Sequence, residues 1–202
     1  MKLYFSPGAC SLAPHIALLE AGLDFTTEKV DIRARKTESG ADFLAINPKG
    51  YVPALELKDG AVLTEGPAIV QFIADLAPDR QLAPANGTME RYRLVEWLNF
   101  ISTEIHKSFS PLFRPTSTED MKAAARTHLT NRLAWLAGQL EGRDYLMGSQ
   151  FTVADGYLFT VLGWANFVQF DLSAWPVFAA YTQRVASRPA VQQALRDEGL
   201  LK

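Results

Sequence analysis

The sequence predicts an α/β domain with the element order βαβαββα, followed by an all-α domain. Two observations lead to this fold class. Short apolar runs bounded by turn residues fill the first part of the chain, and the Asp59-Gly60 turn between two of them is a strong hairpin signal. Further along, strand signals end and apolar residues recur at helical spacing. We therefore expect an α/β domain at 1–78, a linker at 79–87 and a helical domain at 88–202.

The elements of the first domain can be assigned in order. Each strand is a short apolar run. Gly22 marks the end of the first helix, and Pro67 suits the first turn of the last helix of this domain. The predicted spans are strands at 2–5 and 26–31, a loop at 33–40, a short helix at 41–46, strands at 51–57 and 61–64, and a helix at 68–76.

The second domain is predicted to contain five helices, at 89–108, 118–141, 153–167, 176–186 and 189–198. Pro111 and Pro115 are expected to break the helical pattern after the first of them. Thr152 with Asp155 three residues later is a variant of the capping box, so we expect both residues to be structural, capping a buried helix.

Composition excludes several classes of partner. The 202 residues carry a net charge of -2 with no block of Lys or Arg, which argues against nucleic acid or an anionic membrane. No apolar run approaches the roughly 20 residues of a membrane span. The three histidines are scattered and lack the spacing of a metal site. A single cysteine fits a reducing compartment, so we expect a cytoplasmic protein without a metal.

Cys10 is the only cysteine, and it lies where the first strand turns into the first helix. Unpaired N–H groups and the positive end of the dipole at a helix start both favour the thiolate, the reactive form. The alternative is a small packing residue, and position alone does not decide between the two interpretations. A reactive Cys10 also leaves open whether Ser11 or Tyr4 shares its task.

Two further segments have both a functional and a structural interpretation. Pro53 either begins an ordinary edge strand or forms a cis bond that turns the backbone of Val52 outward, where an extended peptide can pair with it. Glu65 and Gly66 open a helix. There the bare N–H groups would bind a carboxylate and Glu65 an ammonium group, as in an amino-acid head, although a Glu near a helix start is also common for dipole reasons alone.

In the helical half, Asn99, Thr103 and His106 form a polar stripe without Lys, Arg or Glu. Such a stripe is either a solvated face or the wall of a site. The apolar residues Phe109 and Phe113 after it are either core or the wall of a pocket for an apolar co-substrate.

Taken together, these motifs resemble the glutathione S-transferases. The resemblance rests on Ser-Pro-x-x-Cys-Ser at 6–11, on Val-Pro at 52–53 and on Thr-Glu-x-Pro-Ala-Ile at 64–69, and it covers essentially the whole chain. A cysteine at position 10 is similar to the bacterial beta class. The first half then resembles the thioredoxin fold, with Ala13 where a second redox cysteine would stand.

The resemblance implies a homodimeric detoxification enzyme that binds glutathione as co-substrate together with a small hydrophobic electrophile. Cys10 and His106 would be catalytic. Two positions depart from the family pattern: Gly66 stands where serine is usual, and Arg35 where lysine is typical. The implied glutathione site comprises Cys10, Arg35, Val52, Pro53, Glu65, Gly66, Asn99, Thr103, Glu104, Ile105 and His106, and the electrophile pocket comprises Phe109, Phe113 and Trp164.

Three functions compete at this stage. The first is a transferase that conjugates glutathione to small hydrophobic electrophiles, with Cys10 able to form a mixed disulfide with glutathione. The second is a glutathione-dependent disulfide reductase or reductive dehalogenase in which Cys10 attacks. The third is a non-catalytic interaction protein of the same fold, which the joint presence of Cys10, Val52-Pro53, Glu65 and His106 disfavours.

Overall fold

The structure is a computed structural model that describes residues 1–201, and it divides them into two compact units. The first contains Met1–Ala83 together with the residues from Ser187 onward, and the second is Pro84–Ala186. The sequence assigned all of 88–202 to the helical domain. The last helix instead packs in the first unit, because it carries apolar and charged groups that pair with the first helix of the chain. Among the described residues, no helix combines the length and apolar character needed to cross a membrane.

The secondary structure follows the predicted order with one additional short strand. Within residues 1–201, the first unit holds five strands and the remaining elements are helices, with a 3-10 turn at Pro78–Arg80 and a π-helical segment at Ile101–His106. The strands are β1 (Lys2–Phe5), β2 (Thr26–Asp31), β3 (Lys36–Thr37), β4 (Ala54–Glu56) and β5 (Val62–Thr64). The helices are α1 (Leu12–Ala21), α2 (Phe43–Ile46), α3 (Gly66–Leu76), α4 (Met89–Phe100), α5 (Lys107–Phe113), α6 (Glu119–Leu140), α7 (Val153–Phe167), α8 (Pro176–Ala186) and α9 (Pro189–Asp197).

The sheet of the first unit has the strand order β3-β2-β1-β4-β5. β1 is central, parallel to β2 and antiparallel to β4, and β4 and β5 form the hairpin that Asp59-Gly60 predicts. The additional strand β3 lies in the segment 33–40, which the sequence assigned to a loop. That assignment was wrong because a strand of two residues in a polar segment shows no alternation of apolar and polar side chains.

Helix α1 is buried over almost its whole length and packs against α3 and α9. It ends at Gly22, whose φ of 66° belongs to the left-handed region where glycine is favoured. A side chain at Gly22 would also meet the guanidinium of Arg80 at 2.9 Å. The stop signal predicted at this position is therefore confirmed by the backbone conformation of Gly22, whereas the flexible Arg80 side chain can move away from a larger residue.

In the second unit, α7 is the central helix, buried along most of its length against α4, α8 and the π-helical segment. The helix predicted at 89–108 is interrupted, since Ile101–His106 adopts π-helical hydrogen bonding. Pro111, which was expected to break the helix, lies inside α5. The break comes at Arg114, whose extended backbone precedes Pro115 and avoids the clash that a helical conformation would cause there.

The start of α7 is organised by the buried carboxylate of Asp155, as the sequence predicts. Its Oδ2 accepts hydrogen bonds from the N–H and the hydroxyl of Thr152 at 2.8 and 3.0 Å. Its Oδ1 accepts from the N–H of Leu146 at 2.8 Å and from the hydroxyl of Tyr181 at 2.9 Å. Burial raises the pKa of Asp155 and of Tyr181, because each charged form loses its hydration. Asp155 therefore has a structural role.

A carboxylate on β2 joins three strands of the sheet. Glu28 accepts hydrogen bonds from Ser39, beyond β3, and from Lys2 of β1, the latter at 3.2 Å. The hydrogen bond from Ser39, with weaker contributions from Thr37 and Lys2, lowers the pKa of Glu28 to about 2. Glu28 is thus stabilised in its charged form by neighbours that only the folded sheet supplies.

We expect Glu28→Gln to reduce the dependence of the free energy of unfolding on pH at acidic pH. A carboxylate with a depressed pKa stabilises the fold above its unfolded pKa of about 4.3 and loses that contribution as the pH falls through the folded pKa. The wild type should therefore lose stability between about pH 5 and pH 2 that the variant does not lose. Urea unfolding followed by circular dichroism over this range measures the difference.

Glu38→Gln is the matched control, because Glu38 is an exposed carboxylate just past β3. It should reproduce the wild-type profile. A Glu28→Gln variant that also reproduced that profile would show that the charge of Glu28 contributes nothing to the pH dependence of stability.

Candidate active site

The register of the sheet brings the predicted residues of the first unit to one edge. Tyr4 near the end of β1 pairs with Ala54 at the start of β4, and Ala54 pairs in turn with Thr64 at the end of β5. β2 runs parallel to β1 and ends at the same edge. The segments that follow β1 and β5 and precede β4 are therefore neighbours, and they carry Cys10, Glu65 with Gly66, and Val52 with Pro53.

The turn between β1 and α1 presents Cys10 to the start of β4. Ser11 closes this turn from inside: its fully buried hydroxyl accepts the N–H of Ser6 at 3.1 Å and lies 3.2 Å from the Ser6 carbonyl, to which it donates. The half-buried Cys10 donates its thiol to the carbonyl oxygen of Val52 at 3.3 Å. The thiol thus contacts the backbone group that was predicted to pair with an extended peptide.

The loop before β4 is held by buried groups. The Val52-Pro53 peptide bond is cis, as the functional interpretation of Pro53 requires. The side chain of Val52 packs with Tyr4 and Phe43 in the core of the first unit. The buried amide of Asn47 donates to the carbonyl of Tyr51 at 2.7 Å. The backbone of this loop therefore has a defined position beside Cys10.

Glu65 has an unusual backbone conformation, with φ 71° and ψ 115° at the start of α3. A residue other than glycine adopts a positive φ only where its surroundings enforce it, and such residues concentrate in functional sites. The Glu65 carboxylate accepts hydrogen bonds from Lys49 at 2.6 Å and from the Tyr51 hydroxyl at 2.7 Å. These hydrogen bonds raise the pKa of Lys49 and of Tyr51, so both side chains remain donors.

The two positions that depart from the family pattern lie in open surroundings. Gly66 is the first residue of α3, its φ is not positive, and a Cβ added to it would meet no heavy atom within 4 Å. Arg35 is exposed, and its guanidinium carbon lies 3.9 Å from where a Cβ of Gly50 would stand. The backbone at Gly66 therefore accepts a serine, and Arg35 lies beside the loop that precedes β4.

In the second unit, Trp164 joins the predicted aromatic residues into one cluster. Its ring centroid lies 4.6 Å from that of His106, 5.9 Å from that of Phe109 and 5.8 Å from that of Phe113, each nearly perpendicular. The hydroxyl of Tyr157 is 2.7 Å from Nδ1 of His106 and orients its imidazole. Phe109 is fully buried and belongs to the core, whereas Phe113 is 47% exposed and can contact a ligand.

The other predicted residues of the second unit differ in what they can offer a ligand. Asn99 and Thr103 are exposed, and the Thr103 hydroxyl donates to the Asn99 carbonyl at 3.0 Å. The Glu104 carboxylate is paired with Arg132 of α6 at 2.7 Å. The side chain of Ile105 is fully buried, so only the backbone of this residue can reach a ligand.

Comparison with known proteins identifies the family. The family models described as "Glutathione S-transferase, N-terminal domain" and "Glutathione S-transferase, C-terminal domain" match residues 8–76 and 100–189. Glutathione S-transferase GstA of Escherichia coli O157:H7 is 50% identical over 200 residues, which are 99% of this chain and 100% of that protein. The chain belongs to the glutathione S-transferase family.

Two solved structures extend this result to the class of transferase. A sphingomonad glutathione S-transferase complexed with glutathione shares 54% identity and a TM-score of 0.96 over 99% of this chain and 100% of that chain. The bacterial beta class glutathione S-transferase of Sphingomonas chungbukensis shares 53% identity and a TM-score of 0.97 over 100% of both chains. The beta class, the fold class and the glutathione transferase enzyme class predicted from the sequence are confirmed.

Sequence reasoning missed three side chains that contact predicted site residues, two in the first unit and one in the second. Lys49 and Tyr51 hold Glu65, but Lys49 was not singled out and Tyr51 was treated only as the start of a strand. Tyr157, which orients His106, was treated as one residue of an apolar helix. Its hydroxyl was an available signal, because a polar atom on a buried helix requires a hydrogen-bond partner.

The structure also answers whether Tyr4 or Ser11 assists Cys10 in this transferase. The Tyr4 hydroxyl donates to Glu56 at 2.6 Å, and burial together with this hydrogen bond raises the pKa of Tyr4 to about 12. The Ser11 hydroxyl is engaged with the Ser6 backbone. Both hydroxyls are thus committed to structural partners.

We therefore expect Tyr4→Phe to leave the alkylation of Cys10 by iodoacetamide within about twofold of the wild-type rate at neutral pH. The reason is that the phenol donates to Glu56 rather than to the thiol. Cys10→Ala provides the blank, since the chain has no other cysteine. A fall of about tenfold or more in Tyr4→Phe would assign the phenol a part in thiol activation.

Proposed function

We propose that the protein adds the thiol of glutathione to small hydrophobic electrophiles, and that Cys10 can form a mixed disulfide with glutathione. The observation that carries the proposal is the contact of the Cys10 thiol with the Val52 carbonyl at 3.3 Å, at the sheet edge where Glu65 and Gly66 begin α3. This edge offers a thiol, the backbone of Val52 and the start of a helix, where N–H groups favour an anion. A cysteine-centred tripeptide requires these three elements.

Each part of glutathione has a partner of matching chemistry at this edge. The backbone of Val52 pairs with the cysteinyl residue, as in strand addition. Glu65 takes the ammonium group of the γ-glutamyl head, while the N–H of Gly66 at the start of α3 takes its carboxylate. Arg35 takes the glycine carboxylate, for which its planar guanidinium is suited.

Glu65 holds the ammonium group of Lys49, and this supports its proposed role as the partner of a cation. Lys49 is bound to it, yet the two side chains are 46% and 53% exposed. An exposed pair of this kind contributes little to stability, because water screens the attraction between the two charges. The ammonium group of glutathione can therefore join or replace Lys49 at little cost, and the Lys49 charge is then available to the γ-glutamyl carboxylate beside it.

Two reactions follow from a glutathione sulfur beside Cys10. In conjugation, the glutathione thiolate attacks an electrophilic carbon, an S–C bond forms, and a leaving group such as halide departs with its electron pair. In exchange, the Cys10 thiolate attacks one sulfur of a glutathione disulfide, which forms the mixed disulfide and releases a glutathione thiolate. Because the chain has one cysteine, only an external thiol can resolve that mixed disulfide.

The second reaction supports an alternative function, a glutathione-dependent disulfide reductase or reductive dehalogenase. The observation in its favour is that the only thiol of the chain lies at the proposed binding edge. Rates measured with glutathione against halogenated aromatics, peroxides and mixed disulfides separate the two functions. Failure to bind immobilised glutathione would contradict both.

We extend the proposal to the second unit and to the assembly. His106 is proposed as a catalytic residue, supported by the Tyr157 hydroxyl and the Trp164 ring that hold its imidazole in one orientation. Asn99, Thr103 and the backbone at Glu104 and Ile105 are proposed to contact glutathione, and Phe113 with Trp164 the electrophile. A homodimer and a cytoplasmic role in detoxification are proposed from the family resemblance.

The function is tested with Cys10→Ala and His106→Ala. We expect Cys10→Ala to abolish exchange with a glutathione mixed disulfide, because no other thiol can form the covalent intermediate. We expect His106→Ala to lower kcat for conjugation by about tenfold or more, with a smaller effect on stability. Wild-type exchange by Cys10→Ala would make Cys10 structural, and parallel losses of activity and stability in His106→Ala would remove its catalytic role.

The departure at position 66 gives a prediction of increased affinity. Gly66→Ser places a hydroxyl in open space at the start of α3, where it can donate to the γ-glutamyl carboxylate. We expect glutathione to bind more tightly by about 1 kcal/mol, or roughly fivefold, as measured by isothermal titration calorimetry. Gly66→Ala is the matched control, since it adds the same Cβ without the hydroxyl. Equal affinities of the two variants would contradict the prediction.

A further inference from the structure

A buried acid–base pair near the end of the chain has no part in the proposed chemistry. The side chains of Glu198 and His15 are 0% and 1% exposed, and Oε1 of Glu198 lies 3.0 Å from Nδ1 of His15. The rings of Phe5 and Phe25 pack on the imidazole at 6.0 and 5.7 Å. A buried carboxylate destabilises the fold unless its lost hydration is replaced by hydrogen bonds. The partners of Glu198 therefore indicate what this residue does.

The second oxygen of the same carboxylate holds the turn that carries Cys10. Oε2 of Glu198 accepts the backbone N–H of Gly8 at 2.9 Å. Gly8 precedes Cys10 by two residues and His15 follows it by five, so one carboxylate holds both limbs of the Cys10 turn. Gly8 has φ 71° and contributes the sharp bend of that turn.

Docking of α9 does not account for these contacts. At the other end of α9, Arg188 forms two hydrogen bonds to Glu20 of α1, at 2.6 and 2.9 Å. Val191 and Ala194 of α9 are fully buried. The helix thus has an ion pair and an apolar face that attach it to the first unit, and neither of them involves the Cys10 turn.

We propose that Glu198 is a positioning residue for Cys10. By holding Gly8 and His15, its carboxylate fixes where the thiol lies relative to the Val52 carbonyl and the start of α1, and so sets the reactivity of the thiol. The inference rests on the proposed function, in which Cys10 is the reacting thiol.

Loss of the Glu198 carboxylate would affect the reactivity of Cys10 in two ways. Without it, the half-buried Gly8 loses this hydrogen bond and the limb before Cys10 can shift. Misplacement of a reacting group by about 1 Å can cost roughly two orders of magnitude in rate. Removal of a negative charge would by itself favour the thiolate and speed its reactions. Loss of positioning and loss of charge therefore change the reactivity of Cys10 in opposite directions.

The experiment measures alkylation of Cys10 by iodoacetamide as a function of pH in the full-length protein. Glu198→Ala removes both hydrogen bonds, while Glu198→Gln removes the charge but keeps an oxygen for the Gly8 N–H. Glu20→Gln is the matched control, because it weakens the attachment of α9 without touching the Cys10 turn. Urea unfolding of every variant accompanies the alkylation profiles.

We expect Glu198→Ala to alkylate about fivefold or more slowly than the wild type at neutral pH, and Glu198→Gln to stay within about twofold. Glu20→Gln should lower the unfolding midpoint and keep the wild-type alkylation profile. Glu198→Asp, which keeps the charge but shortens the reach, should alkylate slowly like Glu198→Ala, and it provides the test if Glu198→Ala does not fold.

Two results would overturn the proposal. A wild-type alkylation profile in Glu198→Ala or Glu198→Asp would reduce Glu198 to a docking contact of α9. Faster alkylation in both Glu198→Ala and Glu198→Gln would show that only its charge acts on Cys10. Alkylation by iodoacetamide measures the reactivity of the Cys10 thiol without glutathione. Failure of this proposal is therefore distinguishable from failure of the proposed function, which the exchange activity of Cys10→Ala tests.

Discussion

The register of β1 within its mixed sheet is the constraint on which the candidate site depends. β1 has a parallel neighbour on one side and an antiparallel neighbour on the other. Its end therefore lies beside the end of β2 and the start of β4, and the residues that follow or precede these strands are brought together. Because side chains alternate across a strand, a slip of one residue would turn Tyr4 out of its packing with Phe43 and displace the Cys10 turn.

The loop from Asn47 to Pro53 connects the separate parts of this edge. Its Val52 carbonyl accepts the Cys10 thiol, and its Lys49 and Tyr51 side chains hold the carboxylate of Glu65. The buried Asn47 amide fixes its backbone. Groups that would contact the thiol end and the γ-glutamyl end of a tripeptide thus belong to one short segment, whose backbone is held by hydrogen bonds.

Local sequence signals predict much of this arrangement. The features that they do not predict have physical reasons. The Asp59-Gly60 hairpin and the end of α1 at Gly22 follow from backbone preferences. The motifs around Cys10, Val52 and Glu65 are sufficient to predict a glutathione site. The π-helical segment from Ile101 leaves no such mark, since the same residues suit an α-helix equally well.

Partners that are distant in sequence are the other class of feature that sequence patterns do not reveal. Glu198 and Gly8 are 190 residues apart, and the residues next to either of them in sequence do not predict the contact. The same holds for the pairing of Glu104 with Arg132, which takes a predicted ligand-binding carboxylate into a contact between helices. Such pairs depend on how the helices pack, and local periodicity does not specify that packing.

The placement of α9 has a consequence for synthesis of the protein on the ribosome. The first unit is discontinuous, since its strands come from the first 83 residues and its last helix from the segment after Ser187. While the helices of the second unit are being translated, the face of α1 that will receive Val191 and Ala194 has no cover. The nascent chain therefore exposes an apolar surface, of the kind that favours aggregation, until α9 has been synthesised.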